Sequence, residues 1–146
     1  MSTKSTMDFA EDFLLRNKAH KRPIDVFDLC RKNKITLVPY SDPDAREMAE
    51  IIGITHRMDT TDGLAVRIKD MSLIFWDDSA PIMSQRATVA HELGHHLLSH
   101  LNHGKYKCEC CNCGACQEQQ ADSFAFNLLF PTSKKFQNTY NALGGC

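Results

Sequence analysis

The chain has 146 residues, 42% hydrophobic and 24% charged, with a formal net charge of −1. That is the size of one ordinary domain, and the composition excludes a disordered tail, a fibrous repeat and the broad basic footprint of a nucleic-acid binder. No apolar run approaches the roughly 20 residues needed to cross a bilayer, and the N-terminal stretch lacks an apolar signal core. The expectation is a single domain over residues 1–146, cytoplasmic, with no membrane and no direct nucleic-acid partner. Five of the seven cysteines fall within nine residues, at Cys108, Cys110, Cys111, Cys113 and Cys116. A secreted disulfide framework spreads its cysteines to staple distant segments, so this crowding points to a reducing compartment.

In chain order, residues 7–18 carry Met7, Phe9, Ala10, Phe13 and Leu14 at helical spacing. Pro23 suits the first turn of a second helix, with Asp25 and Asp28 near its positive end. The period then changes. Residues 35–38 are short and β-branched and read as a strand ended by Pro39. Residues 51–55 and 64–68 read as two more strands joined by an Asp62-Gly63 turn, and residues 71–76 as a fourth. Short connections predict a small, mostly antiparallel sheet. Ser79 and Pro81 signal a helix running to about Leu101. A Cys-rich loop over 102–116 follows, then a helix over 117–130 stopped by Pro131, and a short helix over 133–140. The fold class is α+β: a small sheet packed on an active-site helix, with N-terminal helices and a C-terminal helix bearing glutamate.

His91-Glu92-Leu93-Gly94-His95 is the HExxH pattern. Histidines at i and i+4 lie one turn apart on one helix face, so both imidazoles reach a single metal ion. Glu92 stands to the side of that pair, where a carboxylate serves as general base toward a metal-bound water. Ala90, Leu93, Gly94, Leu97 and Leu101 fall on a separate apolar face, so one side of the helix packs and another offers ligands.

A catalytic zinc takes three protein ligands and leaves a fourth position to water. The extended motif with a third histidine six residues on is excluded, because that position is Leu101. His100 and His103 reach the site only with local distortion. Glu118 is the better candidate. It shares one side of its helix with Asp122, Ala125 and Leu129, beside the apolar stripe Ala121, Phe124 and Leu128. Carboxylates bordering a buried face are costly unless paired or metal-bound. Glu118 as third ligand, with Asp122 accepting a proton from a ligand histidine, meets that cost. The plainer reading is a solvated acidic first turn.

The run Arg86-Ala-Thr-Val-Ala-His91-Glu92-Leu93-Gly94-His95-His96-Leu97-Leu98, followed by Glu118-Gln-Gln-Ala121-Asp122-Ser-Phe124-Ala125-Phe-Asn-Leu128-Leu129-Phe-Pro131, resembles the ImmA/IrrE family of zinc metallopeptidases. The resemblance spans residues 35–131. It implies an intracellular endopeptidase whose protein substrate is a helix-turn-helix repressor of a mobile element or stress regulon. Carried onto this chain, it makes His91, His95 and Glu118 the zinc ligands and Glu92 the base. Two features depart from the pattern. Gln120 stands where many relatives carry a second acid, and the cysteine cluster is foreign to the family.

Cys113 and Cys116 have the spacing of a zinc half-site, and with Cys108, Cys110 and Cys111 they suffice for a second metal site. The alternatives are a thiolate that occupies the open zinc position and silences it, or an exposed loop of reduced thiols. His96, His100 and Tyr106 are open choices for stabilising an oxyanion. Two rival functions stand beside the enzyme: a non-cleaving metal-dependent module that grips a repressor or toxin, and a zinc-stabilised scaffold.

Overall fold

The computed structural model describes residues 5–19, 21–98 and 114–142. Ser5 caps helix α1 (Thr6–Arg16), its side chain accepting from the Asp8 amide. Asp25 does the same for α2 (Val26–Lys32) through the Asp28 amide, so the second helix begins at its acidic cap and not at Pro23. Strand β1 (Ile35–Pro39) follows, then two short helices, α3 (Ala45–Ile52) and α4 (Thr55–Thr60). Strands β2 (Gly63–Ile68) and β3 (Met71–Trp76) lead into α5 (Ile82–Leu97), α6 (Gly114–Leu129) and α7 (Lys134–Ala142).

Residues 51–55 are not a strand. The β-branched run Ile51-Ile52 closes α3, whose apolar positions Ala45, Met48, Ala49 and Ile52 repeat at helical spacing and pack in one core cluster. Gly53 at φ +86° stops the helix, and the amides of Gly53 and Ile54 both return to the Ala49 carbonyl at 2.9 Å. Asp62-Gly63 therefore leads from α4 into β2. The hairpin turn is Lys69-Asp70, with Lys69 at φ 53°.

The strand order is β1-β3-β2. β2 pairs antiparallel with β3, while β1 runs parallel to it, so the sheet is mixed. The parallel pairing follows from the connection: α3, α4 and β2 all intervene between β1 and β3, and that is long enough for a crossover. The central strand β3 is covered on both faces. Ile74 and Trp76 join the helical core of α1, α2, α5 and α6, while Leu73 and Phe75 join Val38, Leu64, Ala45, Ala49 and Met58 on the other side. Burial on both faces accounts for the unbroken apolar run Leu73-Ile74-Phe75-Trp76. Trp76 is a core residue whose indole N–H donates to Gln85 at 3.0 Å. Asp77 serves the turn before α5, accepting from the Ser79 amide at 3.0 Å.

The sheet thus sets α5 in place through β2 and β3, and α6 lies between α5 and α1. Among the described residues no helix is long and apolar enough to cross a membrane.

Candidate metal centre

α5 carries its apolar residues Val89, Ala90 and Leu93 into the core, together with Gly94. Against it, α6 presents Ala121, Phe124 and Leu128, all fully buried. At Gly94 the two helices are in close contact. A Cβ there would meet Phe124 Cδ1 at 3.0 Å and the Ala121 Cα at 3.3 Å. The missing side chain lets the backbones approach, and that approach brings the ligand faces together.

His91 Nε2 lies 2.8 Å from Glu118 Oε2, and His95 Nε2 lies 3.0 Å from Glu118 Oε1. The two imidazole Nε2 atoms are 3.2 Å apart, with the rings edge-to-face. One carboxylate therefore spans both histidines. On the far side of His91, Nδ1 lies 2.7 Å from Asp122 Oδ1. An ionised carboxylate only accepts, so His91 Nδ1 donates this bond, and in the neutral ring Nε2 then carries a lone pair. That lone pair faces the lone pairs of Glu118 across 2.8 Å. Such a contact is repulsive unless a proton or a cation lies between.

The donor set suits a divalent metal. Zn–N bonds of about 2.0–2.1 Å in tetrahedral geometry place two ligand nitrogens roughly 3.3 Å apart, close to the spacing found here. The nearest candidate ligand atoms of His91, Glu92 and His95 all lie within 4.8 Å of one another. His95 is 3% exposed, while the Glu118 side chain is 57% exposed, so the cluster opens to solvent on the α6 side.

Glu92 is the buried acid of the group, at 7% exposure. Burial pushes its carboxyl from the ordinary 4.5 up to about 7, with His91 and Arg57 opposing the rise and Glu118 adding to it. Its Oε2 has no hydrogen-bond partner among the described residues. The first residue of β2 sits against it: a Cβ on Gly63 would fall 2.5 Å from Thr88 Cγ2 and 3.7 Å from Glu92 Cγ. A side chain at position 63 would wedge β2 away from α5. Around this point lies a cavity of about 490 Å³, lined by His91, Glu92, Glu118 and Asp122 on one side and by Arg57, Asp62 and Gly63 on the other.

Five of the expected site residues are thus brought together: His91, Glu92, His95, Glu118 and Asp122. His96 is not among them. Its Nε2 donates to the Leu73 carbonyl at 2.8 Å, and burial lowers its pKa, so it is a neutral ring turned to the sheet. Cys116 is half-buried near the start of α6. Cys108, Cys110, Cys111 and Cys113 lie outside the described residues, as do His100, His103 and Tyr106. Sequence reasoning missed Arg57, Thr61 and Gly63, because it ended a strand at Thr55, gave residues 56–61 no element and took Asp62-Gly63 only as a turn, where the structure has α4 leading into β2.

Two expected outcomes follow from this geometry. Gly94→Ala requires α5 and α6 to separate by a few tenths of an ångström, and its metal affinity, measured by chelator competition, falls on the order of tenfold with far-UV circular dichroism unchanged. Unaltered affinity would show that the approach at Gly94 does not set the ligand spacing. In the chelator-treated chain, Glu92 titrates higher in the fold than in the unfolded state. Its protonated form costs nothing below pH 4.5, and the folded state loses stability relative to the unfolded one as pH rises from 4.5 to about 7. Denaturation of wild type and Glu92→Gln therefore shows the Gln variant gaining relative stability across that window, by on the order of 3 kcal/mol. A difference that stays flat with pH would mean that Glu92 is not raised.

Residues 49–138, well over half of the chain and including both ligand helices, match the family model Peptidase_M78, the IrrE N-terminal-like domain. No match was found among curated proteins or among solved structures. With the HExxH pair, the facing glutamate and the family match in agreement, the chain belongs to the IrrE N-terminal-like family of peptidases.

Proposed function

We propose that the chain is a zinc-dependent endopeptidase that cuts a protein substrate inside the cell, and that the substrate is a helix-turn-helix repressor of a mobile element or stress regulon. The observation that carries the reading is the bridging position of Glu118, within hydrogen-bond distance of both HExxH imidazoles. In this reading His91, His95 and Glu118 hold the zinc and Asp122 fixes the His91 tautomer through its Nδ1–H.

A bound zinc supplies Lewis-acid polarisation of the scissile carbonyl and lowers the pKa of a water toward ~7. Glu92 would be the residue that accepts a proton from an attacking water and returns it to the leaving amine. Its raised pKa matches both halves of the task, since a carboxyl near neutrality accepts a proton and gives it up again. The unpartnered Oε2 is the atom suited to that transfer. The cavity supports a polypeptide substrate in a further way. β2 is an edge strand whose first residue lines the cavity, so its outer backbone groups are available to an extended chain leading to Glu92.

The second reading is a module that grips its partner without cutting. A buried carboxyl beside the metal ligands has no use in a pure binder, which favours the enzyme. The test is incubation of the zinc-loaded chain with a panel of helix-turn-helix repressors from the same genome, read by mass spectrometry. Wild type yields defined fragments, and Glu92→Gln loses cleavage by about 10²–10⁴-fold while still binding the same repressor. Binding without cleavage by both forms would establish the non-cleaving module instead.

A further inference from the structure

The cavity around Glu92 is strongly acidic. Asp62, Glu92, Glu118 and Asp122 all line it, together with His91 and with Arg57 on α4, whose guanidinium is the permanent cation among the residues that line it. Its neighbourhood makes this arginine distinctive. Arg46 on α3 pairs with Asp59 at 2.5 Å, which occupies the acid nearest to Arg57 in sequence. Arg57 itself is exposed, and among the described residues its guanidinium makes no hydrogen bond or ion pair. It is nevertheless near enough to Glu92 to act on its charge.

A cation in this place has two chemical uses. A donor to the tetrahedral oxyanion must be braced beforehand, because its value lies in needing no reorganisation during the reaction. Arg57 has no such brace among the described residues. A guanidinium that orders only around an arriving carboxylate is suited instead to bidentate recognition of that carboxylate. The surrounding acids sharpen the effect, since Asp62 and Asp122 repel an acidic side chain everywhere in the cavity except where Arg57 reaches it.

Resting on the peptidase reading of the same cavity, we infer that Arg57 is a specificity residue, which selects substrates carrying an Asp or Glu side chain at one position flanking the scissile bond. The interaction lies with a side chain of the substrate, so Arg57 takes no part in proton transfer and its loss leaves the metal in place.

Binding tests this directly. Fluorescein-labelled decapeptides of alanine and leucine, with a single Glu, Gln or Lys stepped through each position, are titrated onto the zinc-loaded Glu92→Gln chain. The expected result is one position at which Glu binds about tenfold more tightly than Gln. Adding Arg57→Gln removes that preference with zinc content unchanged, and adding Arg57→Glu turns it toward Lys. The inference is overturned if no position prefers Glu, if the preference survives Arg57→Gln, or if Arg57→Gln weakens Glu, Gln and Lys peptides alike. Cleavage by wild type of the same peptides separates the two claims. Cutting with no acid preference removes this inference and leaves the peptidase, whereas an Arg57-dependent preference in a chain that cuts nothing does the reverse.

Discussion

Three potential ligand groups, the Nε2 atoms of His91 and His95 and the carboxylate of Glu118, meet within 3.2 Å where α5 and α6 touch. Nothing about two adjacent helices brings such groups together unless the backbones are held close. Gly94 permits that approach, since the ring of Phe124 and the backbone of Ala121 occupy the space a side chain would take. The sheet completes the constraint by fixing α5 from its other face through β2 and β3, so the ligand side of α5 cannot rotate away from α6. The candidate metal centre is in this sense a consequence of helix packing, and the spacing of its potential donors is set by that packing.

The same packing sorts the acids of the site by environment. Glu92 lies on the side of α5 that β2 covers, is 7% exposed, and is held near neutrality by burial. Asp122, on the open side of α6, has a side chain 73% exposed and accepts from His91. Two carboxylates one helix apart therefore sit in different environments, one buried and raised toward neutrality and one open to solvent beside the His91 ring. Gly63 lines the cavity beside Glu92, because its bare backbone lets the edge of the sheet reach the buried acid.

Much of this centre is legible in the sequence because helices carry their contacts at fixed spacings. His91 and His95 at i, i+4, and Glu118 and Asp122 at the same interval, place ligands on facing sides of two amphipathic helices without knowledge of the fold. The region between β1 and β2 is not legible in that way. Ile51, Ile52, Ile54 and Thr55 are β-branched, and local preference reads them as a strand. Tertiary packing decides otherwise, because Ala45 and Ala49 bury a helical face against Val38, Leu73 and Phe75. That error hid Arg57 and the role of Gly63, both of which depend on where α4 ends and β2 begins. The parallel pairing of β1 with β3 escaped for a related reason: it joins strands separated by three elements, and no local pattern encodes it.

The most direct test of the account is the metal content of the purified chain by elemental analysis, for wild type, His95→Ala and Glu118→Ala, with circular dichroism to confirm that each is folded. The account predicts about one divalent metal per wild-type chain and its loss in both variants, one from each helix. A metal retained at the wild-type level in both folded variants would contradict it, placing the ion in the cysteine cluster and leaving the convergence of His91, His95 and Glu118 without a ligand role.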